Sequence, residues 1–172
     1  MKILIYLQNE NSKIADVSLQ LISKTKEMTA NYDNVEIIGL FIAQENCDTQ
    51  ILKNSGLDKL IFAKTINLKN YSTREYAKIF CETVEKEQPD IVFVGATNEG
   101  RDLAPRVATT LKTGLTADCT ELEITPEAKL VATRPAFGGS LMAQILCKTK
   151  PQMATVRPNV FKQKEFNQDK DC

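Results

Sequence analysis

The chain contains no histidine and no tryptophan. Without histidine there is no His-based zinc site, no Ser-His or Cys-His nucleophile system, and none of the commonest general base at neutral pH. An enzyme built on Cys or Asp chemistry would still need a paired nucleophile and base, and none is visible. Excess charge of either sign is missing too. Lys plus Arg and Asp plus Glu each number 22, so no basic field invites nucleic acid. Long hydrophobic runs are absent: the opening "MKILIYLQNEN" holds five consecutive apolar residues, and nothing later approaches the roughly 20 a membrane span needs. The five cysteines (Cys47, Cys81, Cys119, Cys147 and Cys172) are scattered, with no C-x-x-C pair, which argues for reduced thiols. The expected setting is the cytoplasm, with no nucleic acid, membrane or metal partner. The cysteines are expected to act as small buried hydrophobes.

What is present is an alternation of two periodicities. "KILIYL" (2–7), "VEIIGLFIA" (35–43), "KLIFAK" (59–64) and "DIVFVGA" (90–96) read as short strands, three of them apolar on both faces. Between them, Ile14, Val17, Leu21 and Met28 recur at helical spacing, as do Tyr76, Ile79, Phe80 and Val84 after a Ser72-Thr73 start suited to capping. "CDTQILKNSG" (47–56) reads as a shorter helix stopped by Gly56. "LAPRVATTLK" carries Leu103, Val107 and Leu111 on one stripe. Strand–helix alternation implies a Rossmann-like α/β fold with a mostly parallel sheet. After Lys112, "TELEIT", "LVATRPA", "LMAQILCKT" and "QMATVRP" read as additional strands, some antiparallel, extending that sheet. One domain over 1–161 and a flexible tail over 162–172 are expected.

Two stretches stand out. "VGATNEGRD" has the G-x(4)-G spacing of a phosphate loop, but Arg101 and Asp102 stand where Lys and Ser or Thr should be. Asp102 and Glu99 would repel an anion. A helix beginning near Gly100, capped by Asp102 and with Pro105 in its first turn, explains the residues better. The loop leaves the carboxyl end of the fourth strand, where open α/β sheets receive ligands or partners, so Asn98, Glu99, Arg101 and Asp102 are candidates for an exposed polar rim. In "RPAFGGSLMA" (134–143), Gly138-Gly139 marks a hairpin or bulge. Arg134 and Phe137 beside it suit a planar or anionic group, or a protein contact. Arg157 repeats the Arg-Pro element at the end of another strand.

Taken in order, "FVGATNEGRDLAPRVATTLKTGLTADCTELEI", "RPAFGGSLMA" and "PQMATVRPNVF" resemble the amino-terminal domain of the electron transfer flavoprotein alpha subunit, nearest in wording to the anaerobe-type subunits. The resemblance implies a fold of the adenine-nucleotide alpha-hydrolase type that has lost nucleotide binding and acts as a non-catalytic scaffold. It implies a heterodimer with a beta subunit, FAD in the complete heterodimer with none held tightly by this chain alone, and a dehydrogenase or quinone reductase as indirect partner. Asn98, Glu99, Arg101, Phe137 and Arg157 become interface candidates, with Arg134 close to a flavin only in the full complex. The family's FAD domain is expected soon after "VRPNVF", and this sequence does not include it. Without a beta subunit, the same face would be free to form a homodimer. The rival reading is a free-standing adenine-nucleotide-binding domain of the universal-stress type. Leu7-Gln8-Asn9-Glu10 shows no phosphate or adenine signature in its favour.

Overall fold

A computed structural model describes residues 1–10, 13–43, 50–64 and 71–166. In chain order the elements begin with β1 (Lys2–Leu7), a small hairpin of β2 (Asn9–Glu10) and β3 (Lys13–Ile14), and α1 (Asp16–Met28). There follow β4 (Glu36–Ala43), a single 3-10 turn (Gln50–Leu52), β5 (Lys59–Lys64), α2 (Thr73–Glu87), β6 (Ile91–Gly95) and α3 (Asn98–Thr110). The last third holds β7 (Leu115–Cys119), β8 (Glu121–Ile124), β9 (Leu130–Ala136), a 3-10 turn (Phe137–Gly139), β10 (Leu141–Leu146) and β11 (Gln152–Val156).

Six strands form one sheet in the order β5-β4-β1-β6-β11-β7, with every pair parallel. A parallel sheet is stable only when both faces are covered, and the unbroken apolar runs of β1, β4 and β6 meet that demand. Ile3, Ile5, Leu7, Ile37, Phe41, Ile91 and Phe93 pack under α1 on one face. Leu4, Tyr6, Ile38, Leu40, Val92 and Val94 pack under α2 and α3 on the other. Each such side chain contributes about 1.5–3 kcal/mol through burial.

The strands β8, β9 and β10 form a separate antiparallel sheet in the order β10-β9-β8. The sequence led us to expect these strands to extend the main sheet. Instead β7 and β11 extend it, while the other three fold over its α1 face, where Leu122, Leu130 and Ala132 join the first core. Gln152 fastens the two sheets: its side chain accepts from Leu130 N at 2.8 Å and donates to Ala128 O at 3.2 Å. Tyr32, just beyond α1, donates to the carbonyls of Ile124 and Thr125.

Other local expectations shift. In 47–56, residues 47–49 lie outside the described set; the rest is one 3-10 turn, although Gly56 does take φ +89°. Ser72 occupies the cap position of α2, but its side chain makes no capping hydrogen bond. Helix α3 starts at Asn98, which places Pro105 in its interior and not in its first turn. Of the cysteines, Cys81 and Cys119 are buried, whereas Cys147 is half-exposed with its sulfur among Thr149 and Gly114 polar atoms. Cys47 and Cys172 lie outside the described residues. Beyond β11 the chain runs back along α1: Gln20 and Asn159 exchange hydrogen bonds, Lys164 N donates to Ser23 Oγ at 2.9 Å, and Phe166 N donates to Asn54 O at 2.8 Å. The tail boundary expected at 162 therefore falls inside a hydrogen-bonded segment, and residues 167–172 are not described.

Candidate functional site

The loop from Gly95 to Asp102 is closed by its own packing. A Cβ on Gly100 would lie 1.8 Å from Gly95 O, and one on Gly95 would lie 2.6 Å from a Val17 methyl of α1. The two glycines thus let the first turn of α3 sit directly on the end of β6. Thr97 is the cap of that helix: its hydroxyl accepts from Gly100 N at 3.1 Å and donates to Gln8 Oε1 at 2.5 Å. A helix N–H that a phosphate would use is already taken. Asp102, expected to be the cap, accepts instead from the hydroxyls of Tyr71 and Thr73, tying α3 to the start of α2. Those two donors hold its carboxyl below the ordinary value.

Glu99, expected on an exposed rim, turns inward and accepts from Tyr6 Oη at 2.6 Å. Burial raises the Glu99 carboxyl above its usual value against the opposing effect of that hydrogen bond. Burial and then the Glu99 charge push the Tyr6 phenol well up. This phenol–carboxyl pair closes the space between β1 and α3, and it places an acidic side chain where a nucleotide phosphate would need donors. Asn98 alone of the four rim candidates is exposed without being drawn into such a contact in this loop.

Arg101 and Arg157, widely separated in sequence, are brought together by a residue that no motif pointed to. Asp118 sits at φ +61° in β7, where the register with β11 shifts, and its N–H donates to Thr155 Oγ1 at 2.8 Å. A bulge of this kind re-aims a side chain. Here it aims the carboxylate at two guanidiniums. Arg157 reaches it through Nε at 3.3 Å and Nη2 at 2.6 Å, and Arg101 through Nη2 at 3.2 Å while Arg101 Nε donates to Ala96 O. The Arg157 hydrogen bond holds the Asp118 carboxyl below its usual value, and the charges of Arg101 and Arg134 act in the same direction. Neighbouring Cys119 is fully buried, and burial pushes its thiol up to about 12.

Arg134 lies on β9, half-buried, paired across the ladder with Ala143 of β10. Phe137 is at the β9–β10 tip, 83% exposed, where Phe137, Gly138 and Gly139 all take positive φ. The structure therefore gathers Arg101, Arg157 and Asp118 into one cluster near Arg134, and leaves Phe137 apart at the hairpin tip. Strand β10 is exposed on both faces, with Leu141 59%, Met142 53% and Leu146 55% exposed. Among the described residues no group of three or more acidic or cysteine side chains could hold a metal ion, and no helix is long and apolar enough to cross a membrane.

A parallel sheet covered on both faces, with a carboxyl edge sealed by internal contacts and an apolar antiparallel side sheet, defines an α/β domain of Rossmann-like type. The family model described as electron transfer flavoprotein domain matches residues 3–171, and the chain belongs to that family. It is 44% identical to the electron transfer flavoprotein subunit alpha of Clostridium acetobutylicum over 95% of this chain and 49% of that protein. It is 36% identical to the acryloyl-CoA reductase electron transfer subunit beta of Anaerotignum propionicum, over 96% of this chain and 52% of that one. It is 40% identical to the lactate dehydrogenase (NAD(+),ferredoxin) subunit LctC of Acetobacterium woodii, over 92% of this chain and 38% of that protein. The chain spans about half the length, or less, of these curated relatives.

Proposed function

We propose that this chain is a non-catalytic scaffold domain of an electron transfer flavoprotein alpha-type subunit. It docks on a beta-type subunit and lends surface to an assembly in which FAD is carried by other parts. The assembled protein exchanges electrons with a dehydrogenase or quinone reductase, a reading supported by its likeness to the acryloyl-CoA reductase electron transfer subunit and the lactate dehydrogenase subunit. The thiols of Cys81, Cys119 and Cys147, unpaired by disulfides, fit a reducing cytoplasm.

The observation that carries this reading is β10. Its sequence, LMAQIL, is uncharged, it forms one edge of its sheet, and four of its six side chains are large and apolar with 36–59% exposure. An isolated protein leaves such an edge open to aggregation, whereas an assembly covers it. The Gly95–Asp102 loop supports the same reading, because the Gly100 and Arg101 N–H groups are both given to Thr97 and the loop carries the carboxylates of Glu99 and Asp102.

Mixing the chain with a beta-type electron transfer flavoprotein subunit should give a 1:1 complex by light scattering. Leu141→Asp combined with Ile145→Asp should abolish it while leaving the fold of the free chain intact, because both side chains are exposed. Equal binding by the double variant would sink the docking reading. Titration of the chain alone with FAD should give no stoichiometric binding in the submicromolar range; such binding would overturn the scaffold assignment.

A further inference from the structure

Two arginines meet the Asp118 carboxylate at the carboxyl edge of the main sheet, and a third lies near enough for its charge to be felt. Asp118 accepts three hydrogen bonds, two from Arg157 and one from Arg101. Arg134 is close enough for its charge to lower the Asp118 carboxyl, yet it makes no hydrogen bond or ion pair among the described residues. Arg134 as a residue is half-buried, and any of its guanidinium donors that lose water gain no acceptor within the described residues.

The register of the side sheet shows what surrounds it. Residues opposite one another in an antiparallel ladder share a face, as do alternate residues on one strand. Arg134 therefore shares its face with Ala132 and Ala136 of β9 and with Ile145, Ala143 and Leu141 of β10. That face begins in the core, where Ala132 is 1% exposed, and emerges to solvent at Leu141. Arg134 thus stands on a strand face otherwise made of small and aliphatic residues, with its charge felt by Asp118 and Cys119 at the edge of the main sheet.

We propose that Arg134 is the receptor for an acidic side chain, Asp or Glu, of the docking subunit; this rests on the docking reading above. An aliphatic frame around a planar fork suits a carboxylate delivered by a protein surface that also covers Leu141 and Ile145 and expels water from the pair. A phosphate is the weaker fit, because the α3 N–H groups of Gly100 and Arg101 are already given to Thr97 and the Arg101 and Arg157 side chains are already held by Asp118. The Arg101–Asp118–Arg157 cluster has a supporting part: by occupying Asp118 with two other arginines, it keeps Arg134 unpaired and adds positive potential that draws the acidic group in.

The test measures the dissociation constant of the full chain with a beta-type subunit at 50, 150 and 500 mM NaCl. Arg134→Gln should weaken binding at least tenfold at low salt and flatten its salt dependence. Arg134→Lys should recover part of the affinity, and neither should lower the Tm of the free chain, because no internal partner is lost. Wild-type affinity and salt dependence in Arg134→Gln would overturn the carboxylate pairing while leaving the docking reading in place. Failure of the wild-type chain to bind at any salt would overturn both. Thermal stabilisation of the free wild-type chain by inorganic phosphate or AMP, lost in Arg134→Gln, would replace the acidic side chain with a phosphate. Unchanged affinity together with an altered flavin absorbance of the complex would instead make Arg134 a flavin neighbour.

Discussion

At the scale of single residues, two positions in this molecule are decided by atoms that ordinary propensity scales ignore. Gly100 lies in the first turn of α3, where Ala is favoured over Gly by about 1 kcal/mol in a helix interior. The Cβ it would bring lies 1.8 Å from Gly95 O, a backbone atom that cannot swing aside. Overpacking costs about 1–3 kcal/mol, and more where backbone must move, so Gly100→Ala should destabilise by about 2 kcal/mol or more. A urea midpoint equal to or above wild type would contradict this. Asp118 gives a second prediction, with a definite sign. Its folded carboxyl lies below the free value of about 3.9, so its pairing contributes fully above that value and is lost as pH falls through the lower, folded one. The stability gap between wild type and Asp118→Asn should therefore be widest near neutrality and shrink below about pH 4. Urea titrations from pH 7 to pH 3 measure it, and a gap that stays constant would mean that the ionised pair contributes nothing.

At the scale of elements, the clearest dependence is that of the side sheet on Gln152. Its buried amide is the acceptor for Leu130 N and a donor to Ala128 O, so Gln152→Leu strands both groups and should cost about 1–3 kcal/mol. The loss should be local: amide exchange should speed in β8 and β9 more than in β1 and β4. Uniform acceleration across the chain would show that the two sheets open as one. The same elements show what the sequence disclosed. The buried parallel strands and the α1 and α2 stripes were legible, because full burial on two faces leaves unbroken apolar runs and helix faces leave a 3.6-residue period. β7 was not, since LTADC is short, carries Asp118 and Thr116, and owes its strand form to β11 alone. The site divided in the same way. Arg157 and Arg134 were visible as charged residues at strand ends and Arg101 as one in a strand-to-helix loop, but Asp118 was not, because what joins it to them is a bulge and a crossover, neither of which leaves a local mark. The cap of α3 was assigned to Asp102 because an acid near a helix start is a good guess. Thr97 won because helix α3 starts at Asn98 and not at Gly100.

At the scale of the whole molecule, the family match and the chemistry of its surfaces point in one direction. The edge where related architectures receive small molecules is stitched shut by Thr97, Glu99 and Asp102, and the surface left open is an apolar strand with an arginine set into it. The docking experiments above distinguish these surfaces, since the Leu141→Asp, Ile145→Asp variant removes the apolar strip and Arg134→Gln removes only the charge. The strand order carries one more consequence, and it concerns the birth of the molecule. β7 pairs with β11 and not with β6, so β11 must be threaded between two strands that precede it in the chain. While the ribosome is making β8 to β10, the β6 edge and β7 both wait without partners. The apolar strip of β10 is thus synthesised before the main sheet beneath it can close, which makes its early exposure an inherent hazard of this topology.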